Sequence, residues 1–368
     1  MSRHDRIRGI WLALGVFALS RLISIVVAWR VAGTPGGPRN VLEVLTRWDA
    51  GFFISIAANG YPARLPPGTG LGAQSALSFF PGYPLAIRGI SSVTGASPAV
   101  AGIIASLVAG AAACVLVWML AARLSEPPTA DRTVALFAFF PSAFVFSMAY
   151  SDSLYLLLAA ACLLALTRER WLAAGVAAAL AGLVRPNGLV LLPVCAVAAV
   201  LAGRTSRSWL PAVAPLLAPL GAIGFFAFLQ AHTGTWLTFF HAQERGWDQR
   251  FDFGWSNLQN VIQLIARPRV TFHLMLLGLL VAGSVVAVWL MLHWRPPVEI
   301  VIYVFGAIAM VLGITITNSA PRLLLGAFPL LVPVARYTSR WTFAVILAAS
   351  AGLMVAYFAV TSTTRLAP

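Results

Sequence analysis

The chain has 368 residues, with 11 carboxylates against 25 basic side chains, all of the latter arginine. Asp5, Glu126, Asp131, Glu169 and Glu299 fall in a tail or in short basic loops, where a solvated charge is the simplest reading. Glu43, Asp49, Asp152, Glu244, Asp248 and Asp252 do not. The stretch TRWDAGFFISIAANGYP, residues 46–62, sets Asp49 beside Trp48 and Phe52 and runs on to Tyr61. A carboxylate kept among aromatic and small residues can act as general base toward a bound hydroxyl. It could equally cap a helix or pair with Arg47 or Arg88. The pattern VLEVLTRWDAGFFISIAANG predicts one helix ending at Gly60, on which Glu43 and Arg47 stand four apart and can pair.

Four further places join charge to a break in apolar sequence. In SALSFFPGYPLAIRG, residues 75–89, Phe79, Phe80, Tyr83 and the prolines form an aromatic wall, and Arg88 is either a phosphate ligand or an interfacial anchor. AYSDSLYLL puts Ser151 or Asp152 at a helix start, as an N-cap or a supporting charge. LVRPNGLVLLP interrupts an apolar run at Arg185, and NSAPRLLLGAFPLL opens another with Arg322. Each arginine is either a structural anchor at a turn or a fork for a lipid phosphate. The stretch HTGTWLTFFHAQERGWDQRFDFGW is dense in rings and both charges, which suits a helix on the bilayer or a lid over a sugar or lipid headgroup. His232 and His241 are nine apart, so they form no helical metal pair. Cys114, Cys162 and Cys195 lie inside apolar segments with no CxxC spacing, so they are expected to be packing residues with no disulfide or structural metal.

The elements that must hold these groups are membrane helices. The chain is 60% hydrophobic and 10% charged, against about 25% charged in soluble domains. Candidate spans are 10–32, 98–122, 133–149, 153–167, 171–185, 188–202, 210–230, 271–293, 298–317, 322–336 and 342–361, about eleven in all. Segment 81–97 is apolar enough to cross. If it does not, Arg123, Arg132, Arg168, Arg170, Arg204, Arg207, Arg295, Arg336 and Arg340 all face the cytoplasm, as the positive-inside rule requires. The N-terminus, basic before a long apolar run, is then cytoplasmic on a retained signal anchor. Two long outer loops remain, about 33–97 and 231–270. With no repeat and no soluble segment, residues 1–368 read as one transmembrane domain. The net charge of +14 is scattered between spans and forms no stripe, which argues against nucleic acid. No Walker or dinucleotide glycine pattern appears.

In order along the chain, RWDAGFF.SIAANGYP, SFFPGYPLAIR, YSDSLY, RPNGL and PRLLLGAFPL resemble the PIG-V type mannosyltransferases, a branch of the GT-C glycosyltransferases that includes bacterial members. The resemblance covers most of the chain and is most specific in the first motif. It implies an all-α, multi-pass protein of the plasma membrane, with its active site outside the cytoplasm. It implies inverting transfer of a mannosyl residue from a polyprenyl-phosphate donor to a hydroxyl on a glycolipid, glycan or protein. By motif, Asp49 is the catalytic base. Arg185, Arg322 and Arg88 are candidates for the donor phosphate, and Arg47, Trp48, Asp152, His241 and Tyr61 for support. Related sequences often carry another acid between the GY and FFP motifs. Here that stretch, PARLPPGTGLGAQSALS, has none, so no metal or other cofactor is expected. Three rivals stay open, one of them a non-catalytic scaffold in which Asp49 would tolerate replacement by asparagine. A secondary transporter would show mid-span acids and a two-fold repeat, and neither is found. A ligase of lipid-linked glycan could use His241 and Arg245.

Overall fold

The computed structural model describes residues 2–34, 37–206, 208–256, 259, 262, 272–313, 315, 319–364 and 367. All regular elements among them are helical. The order is α1 (Arg3–Val31), α2 (Val41–Leu45), α3 (Asp49–Asn59), α4 (Gly82–Thr94), α5 (Pro98–Leu124), α6 (Pro127–Ala138), α7 (Asp152–Leu166), α8 (Trp171–Val184) and α9 (Leu191–Ser206). Then come α10 (Val213–Leu217), α11 (Leu220–Thr233), α12 (Thr238–Trp247), α13 (Phe272–Trp294), α14 (Val298–Leu312), α15 (Ala320–Leu324), α16 (Leu331–Tyr337) and α17 (Arg340–Thr363).

The long helices begin where the sequence supplies caps. Ser2 and Asp5 form a capping box on α1, Ser97 caps α5 with Pro98 in its first turn, and Ser339 caps α17. In lipid no hydrophobic force drives helices together, so close approach depends on small residues. Ala101, Ala105, Ala109 and Ala113 of α5 are buried, as are Ala159 and Ala160 of α7 and Ala174, Ala178 and Ala181 of α8. Accordingly α5 packs on α7, α7 on α8, and α1 on α5, α6 and α17.

Among the described residues, five helical stretches are long and apolar enough to cross a membrane: α1, α5, Pro186–Arg204, Leu210–Thr233 and α17. Four shorter apolar helices accompany them, α7, α8, Gly278–Trp294 and α14. The expected spans 133–149 and 322–336 are not continuous helices. After α6 the chain makes a 3-10 turn, Ala143–Ser147, before α7. After α15 it makes another, Leu325–Leu330, before α16. Pro141, Pro321, Pro329 and Pro333 deny these segments helical donors. Both breaks are buried in protein, the setting in which irregular backbone is tolerated at membrane depth.

The two ends of the bundle differ. At one end Arg8 pairs with Asp131 at 2.7 Å, Arg123 donates to the Thr167 carbonyl at 3.0 Å, Arg132 to that of Thr338 at 3.0 Å, and Arg336 to Ser125 at 3.2 Å. The N-terminus and the loops after α5, α7 and α16 therefore share one end. The other carries α2, α3, α4 and α12. Segment 81–97 supplies α4, whose 13 residues rise roughly 20 Å, short of the ~30 Å bilayer core. Its Tyr83 and Ile87 are buried while Leu85 and Val93 are exposed, the pattern of a surface helix.

The two long loops dock on each other. The Gly70 amide donates to the Arg245 carbonyl at 2.7 Å, and His232 Nε2 meets the Pro62 carbonyl at 3.1 Å. The surface helix expected in the second loop is α12. Positions 257, 258, 260, 261 and 263–271 of that loop, and 314 and 316–318 beyond α14, lie outside the described residues, as do parts of the expected spans 271–293 and 298–317.

Candidate active site

Asp49 is the first residue of α3. The single helix expected through it is broken into α2 and α3 by Trp48, which holds φ 61° and ψ −127°. Non-glycine residues rarely adopt such a backbone, and it costs on the order of 1–3 kcal/mol. Long-range anchors hold it. Arg47 donates to the Ser362 carbonyl and Trp48 Nε1 to that of Thr361 at 3.4 Å, both near the end of α17. The Arg47 guanidinium lies 5.0 Å over the Trp48 ring, and the Leu45 carbonyl accepts from the Ala149 amide at 3.0 Å. The expected Glu43–Arg47 pair therefore does not form. Glu43 accepts from the Arg39 amide at 2.8 Å, and Arg47 is turned toward α17.

The break aims the Asp49 carboxylate at Arg322 on α15. Nη1 donates to Asp49 Oδ2 at 2.8 Å. Nε of the same guanidinium lies 3.9 Å from Oδ1 of Asp152, and Arg185 pairs with that oxygen. Asp152 is the first residue of α7, with Ser151 in the cap position, so its carboxylate serves the arginines and not the helix cap. Both acids sit at helix N-termini, where the aligned peptide dipoles favour negative charge. The Tyr150 ring lies 5.0 Å from the Arg322 guanidinium. The result is an alternating row of Asp49, Arg322, Asp152 and Arg185. Asp49 is its most open member, with 24% of its side chain exposed against 8%, 6% and 12% for the other three in turn.

The row has unused hydrogen-bonding capacity. Asp152 Oδ2 and Arg322 Nε are buried and have no hydrogen-bond partner among the described residues. They border a cavity of about 10 Å³ that also meets Arg185, Asn187, Tyr155 and Gly326, room for about one water. The RPNG motif explains how Arg185 is placed. Residues 186–190 make a 3-10 turn back against α8, and a Cβ on Gly188 would lie 2.3 Å from the Ala181 carbonyl carbon and the Gly182 nitrogen. Only glycine permits that approach.

Aromatic rings flank the open side. Phe52, three residues after Asp49, stacks on Phe79 with centroids 4.8 Å apart. Trp247, the last residue of α12, meets both rings at 5.6 and 5.7 Å. The second loop thus covers the aromatic wall of the first. Farther along it, Asp252 accepts from the Ser256 and Gly254 amides at 2.8 and 3.0 Å. Bonds to Ser256 and Gly254 hold its carboxyl below the usual range.

The other expected site residues lie elsewhere. Arg88 donates to the Ala57 and Ile56 carbonyls at 2.9 and 3.4 Å, closing the C-terminal end of α3. Asp49 opens the same helix, about 12 Å away along its axis. The expected grouping of Arg88 with Arg185 and Arg322 is therefore corrected. Arg88 lines a separate groove of about 440 Å³ with Tyr61, Leu85, Phe225, Phe228 and His232. Tyr61 donates to the Phe79 carbonyl at 2.7 Å, and burial pushes its phenol pKa up. Arg47 and Trp48 anchor the turn before Asp49 and do not join the row. His241, on α12, joins neither the row nor the groove. Tyr150 and Asn187 border the row and were not singled out from sequence, although both stand within the motifs that carry Asp152 and Arg185. A second apolar cavity, about 410 Å³, lies between α13, the α15–α16 segment and α17, and is bordered by Leu324 and Leu325 just after Arg322. Among the described residues no three His, Cys, Asp or Glu side chains gather as a metal-holding group.

Residues 37–204 match the family model described as mannosyltransferase (PIG-V). No curated protein matches the chain in sequence. Among solved structures, ArnT from Cupriavidus metallidurans bound to undecaprenyl phosphate is similar with a TM-score of 0.57 and 16% identity, over 91% of this chain and 62% of that one. The Archaeoglobus fulgidus oligosaccharyltransferase in complex with Zn and sulfate is similar with a TM-score of 0.52 and 12% identity, over 94% of this chain and 53% of that one. The same archaeal enzyme with an inhibitory peptide and a dolichol-phosphate gives 0.50 at 12% identity, over 97% and 56%. The chain thus spans about half to three-fifths of these proteins' length, and at such identities the likeness is one of fold. Over residues 37–204 the chain is similar to the PIG-V mannosyltransferases, and its fold is similar to that of these membrane glycosyltransferases.

Proposed function

We propose that this protein is an inverting glycosyltransferase that moves a mannosyl residue from a polyprenyl-phosphate donor to an acceptor hydroxyl, on the extracytoplasmic side of the plasma membrane. The whole chain acts as one transmembrane domain. The observation that carries the reading is the row itself: a comparatively open carboxylate, Asp49, bonded to an arginine that also faces Asp152 and Arg185. Asp49 takes the proton from the acceptor hydroxyl as that oxygen attacks the anomeric carbon from the face opposite the phosphate. The bond from the anomeric carbon to the phosphate oxygen breaks, and its electron pair leaves with the phosphate. Arg322 and Arg185 receive that charge through planar forks that stay protonated. Arg322 then exchanges part of its bond to Asp49 for a bond to phosphate, freeing the base when the donor arrives.

The isoprenoid tail is assigned to the apolar cavity of about 410 Å³ beside Leu324 and Leu325. The aromatic faces of Phe52, Phe79 and Trp247 suit sugar rings near Asp49. Two neighbours of the same fold are described with polyprenyl-type phosphates, undecaprenyl phosphate in ArnT and a dolichol-phosphate in the archaeal enzyme, which supports this donor class. The reading assigns no step to a metal or cofactor. The arginine-bearing end faces the cytoplasm, which puts the row outside.

The test is transfer in membranes supplied with polyprenyl-phosphate mannose labelled at the anomeric carbon. Mannosylated product whose anomeric configuration is opposite to the donor's is expected. Transfer from a nucleotide sugar without lipid, or retained configuration, would contradict the assignment.

A further inference from the structure

Arg21 lies in the middle of α1, within the membrane-crossing stretch, and is 4% exposed. Among the described residues it makes no ion pair. Its partners are neutral. Nη1 donates to the Ala143 carbonyl at 2.6 Å and to Ser147 Oγ at 3.1 Å, and Nη2 to the Ala138 carbonyl at 3.3 Å. The rings of Phe17 and Phe146 lie 5.3 and 5.5 Å from its guanidinium. An uncompensated charge at this depth is costly, and such residues serve a purpose. The proposed transfer does not use it.

The partners define that purpose. Ala138 is the last residue of α6, and Ala143 and Ser147 bound the 3-10 turn that follows. This is the break that replaces an expected span, where the backbone leaves the α-helical ladder for a 3-10 turn. Three residues beyond Ser147 stands Tyr150, over whose ring Arg322 lies, and then Asp152. The same segment fixes the entry to α3, since the Ala149 amide holds the Leu45 carbonyl at 3.0 Å.

We propose that Arg21 is a positioning residue for the phosphate site. Its guanidinium ties the end of α6 to the 3-10 turn that follows and so holds Tyr150 and Asp152 where Arg322 needs them. The proposal rests on reading Arg322 and Arg185 as phosphate ligands. It adds that their geometry is set from α1, by a charge that touches no substrate.

The experiment uses the full chain in lipid nanodiscs, with undecaprenyl phosphate as the probe. Folded protein is isolated by gel filtration, so that lost yield does not count as lost affinity. For Arg21→Gln, affinity is expected to fall about tenfold, and for Ser147→Ala about two- to threefold, in line with the loss of several or one charge-assisted bond. Arg21→Lys keeps the charge without the fork, and is expected to fall between them. Hydrogen exchange gives a readout without ligand: faster exchange confined to residues 139–152 is expected in the Arg21 variants. If Arg21→Gln yields no folded protein, Arg21→Lys and Ser147→Ala decide. Wild-type affinity in both of those variants, or exchange raised evenly over the whole chain, overturns the proposal. Absence of binding by the wild-type chain, with local exchange still raised in the variants, removes the phosphate reading instead and takes the positioning role with it.

Discussion

Arg322 Nη1 and Asp49 Oδ2 stand 2.8 Å apart although 273 residues separate them in sequence. The pair ties the start of α3 to a short helix late in the chain. It also fixes what each partner can do. The carboxylate is held ready at a helix start, and the guanidinium is shared between two acids.

Replacing Arg322 therefore affects the donor first. Arg322→Ala leaves Asp49 and Asp152 facing each other across a vacancy, and Arg322→Lys retains charge but not the fork. The expected result is a rise in donor KM of about tenfold or more for alanine and a smaller rise for lysine, in line with ~1.5–3 kcal/mol for a hydrogen bond to a charged group. Steady-state kinetics with varied polyprenyl-phosphate mannose checks this. An unchanged donor KM removes Arg322 from the site.

Arg88 provides the contrast. It closes the far end of α3 on the Ala57 and Ile56 carbonyls. Arg88→Ala is expected to leave donor KM within about threefold while lowering stability by about 1 kcal/mol, through the lost helix-end interaction. The same kinetic series, with a thermal melt, separates the two arginines. A donor defect as large as that of Arg322→Ala would place Arg88 at the phosphate after all.

Gly188→Ala forces a Cβ to within 2.3 Å of the backbone of α8. The turn that places Arg185 must shift, at a cost of about 1–3 kcal/mol typical of overpacking. Weaker donor binding and a lower melting temperature are expected together. Gly352→Ala, where nothing lies within 4 Å of the added carbon, is the control and is expected to change neither.

Topology has its own check. Asp131 pairs with Arg8 at 2.7 Å, so the loop after α5 lies on the N-terminal side. A reporter fused after Ala130 is expected to read cytoplasmic. An extracytoplasmic signal would invert the bundle and move the row to the wrong face.

Much of this was legible in the sequence because it depends on local chemistry. The apolar runs marked the membrane class, and Asp49, Asp152, Arg185 and Arg322 each stand out as charge beside a helix break. What could not be read was their meeting, since α3, the α7–α8 pair and α15 are far apart along the chain and charge alone does not say who pairs with whom. The break at Trp48 was hidden for the same reason: its backbone is held by the Thr361 and Ser362 carbonyls, more than 300 residues on. Segments 133–149 and 322–336 read as spans because a hydropathy window weighs composition and misses the donors that proline removes. Arg21 showed only as an interruption in an apolar run, because its partners are backbone carbonyls and serine hydroxyls, which do not stand out in a sequence.

The most direct test of the account is the single-turnover rate of Asp49→Asn with bound polyprenyl-phosphate mannose and saturating acceptor. The substitution keeps size and can still accept from Arg322, but it removes the base. The account predicts loss of about 10²–10⁴-fold, the usual contribution of general base catalysis, with undecaprenyl phosphate still bound. A rate within a few-fold of the wild-type value would contradict it.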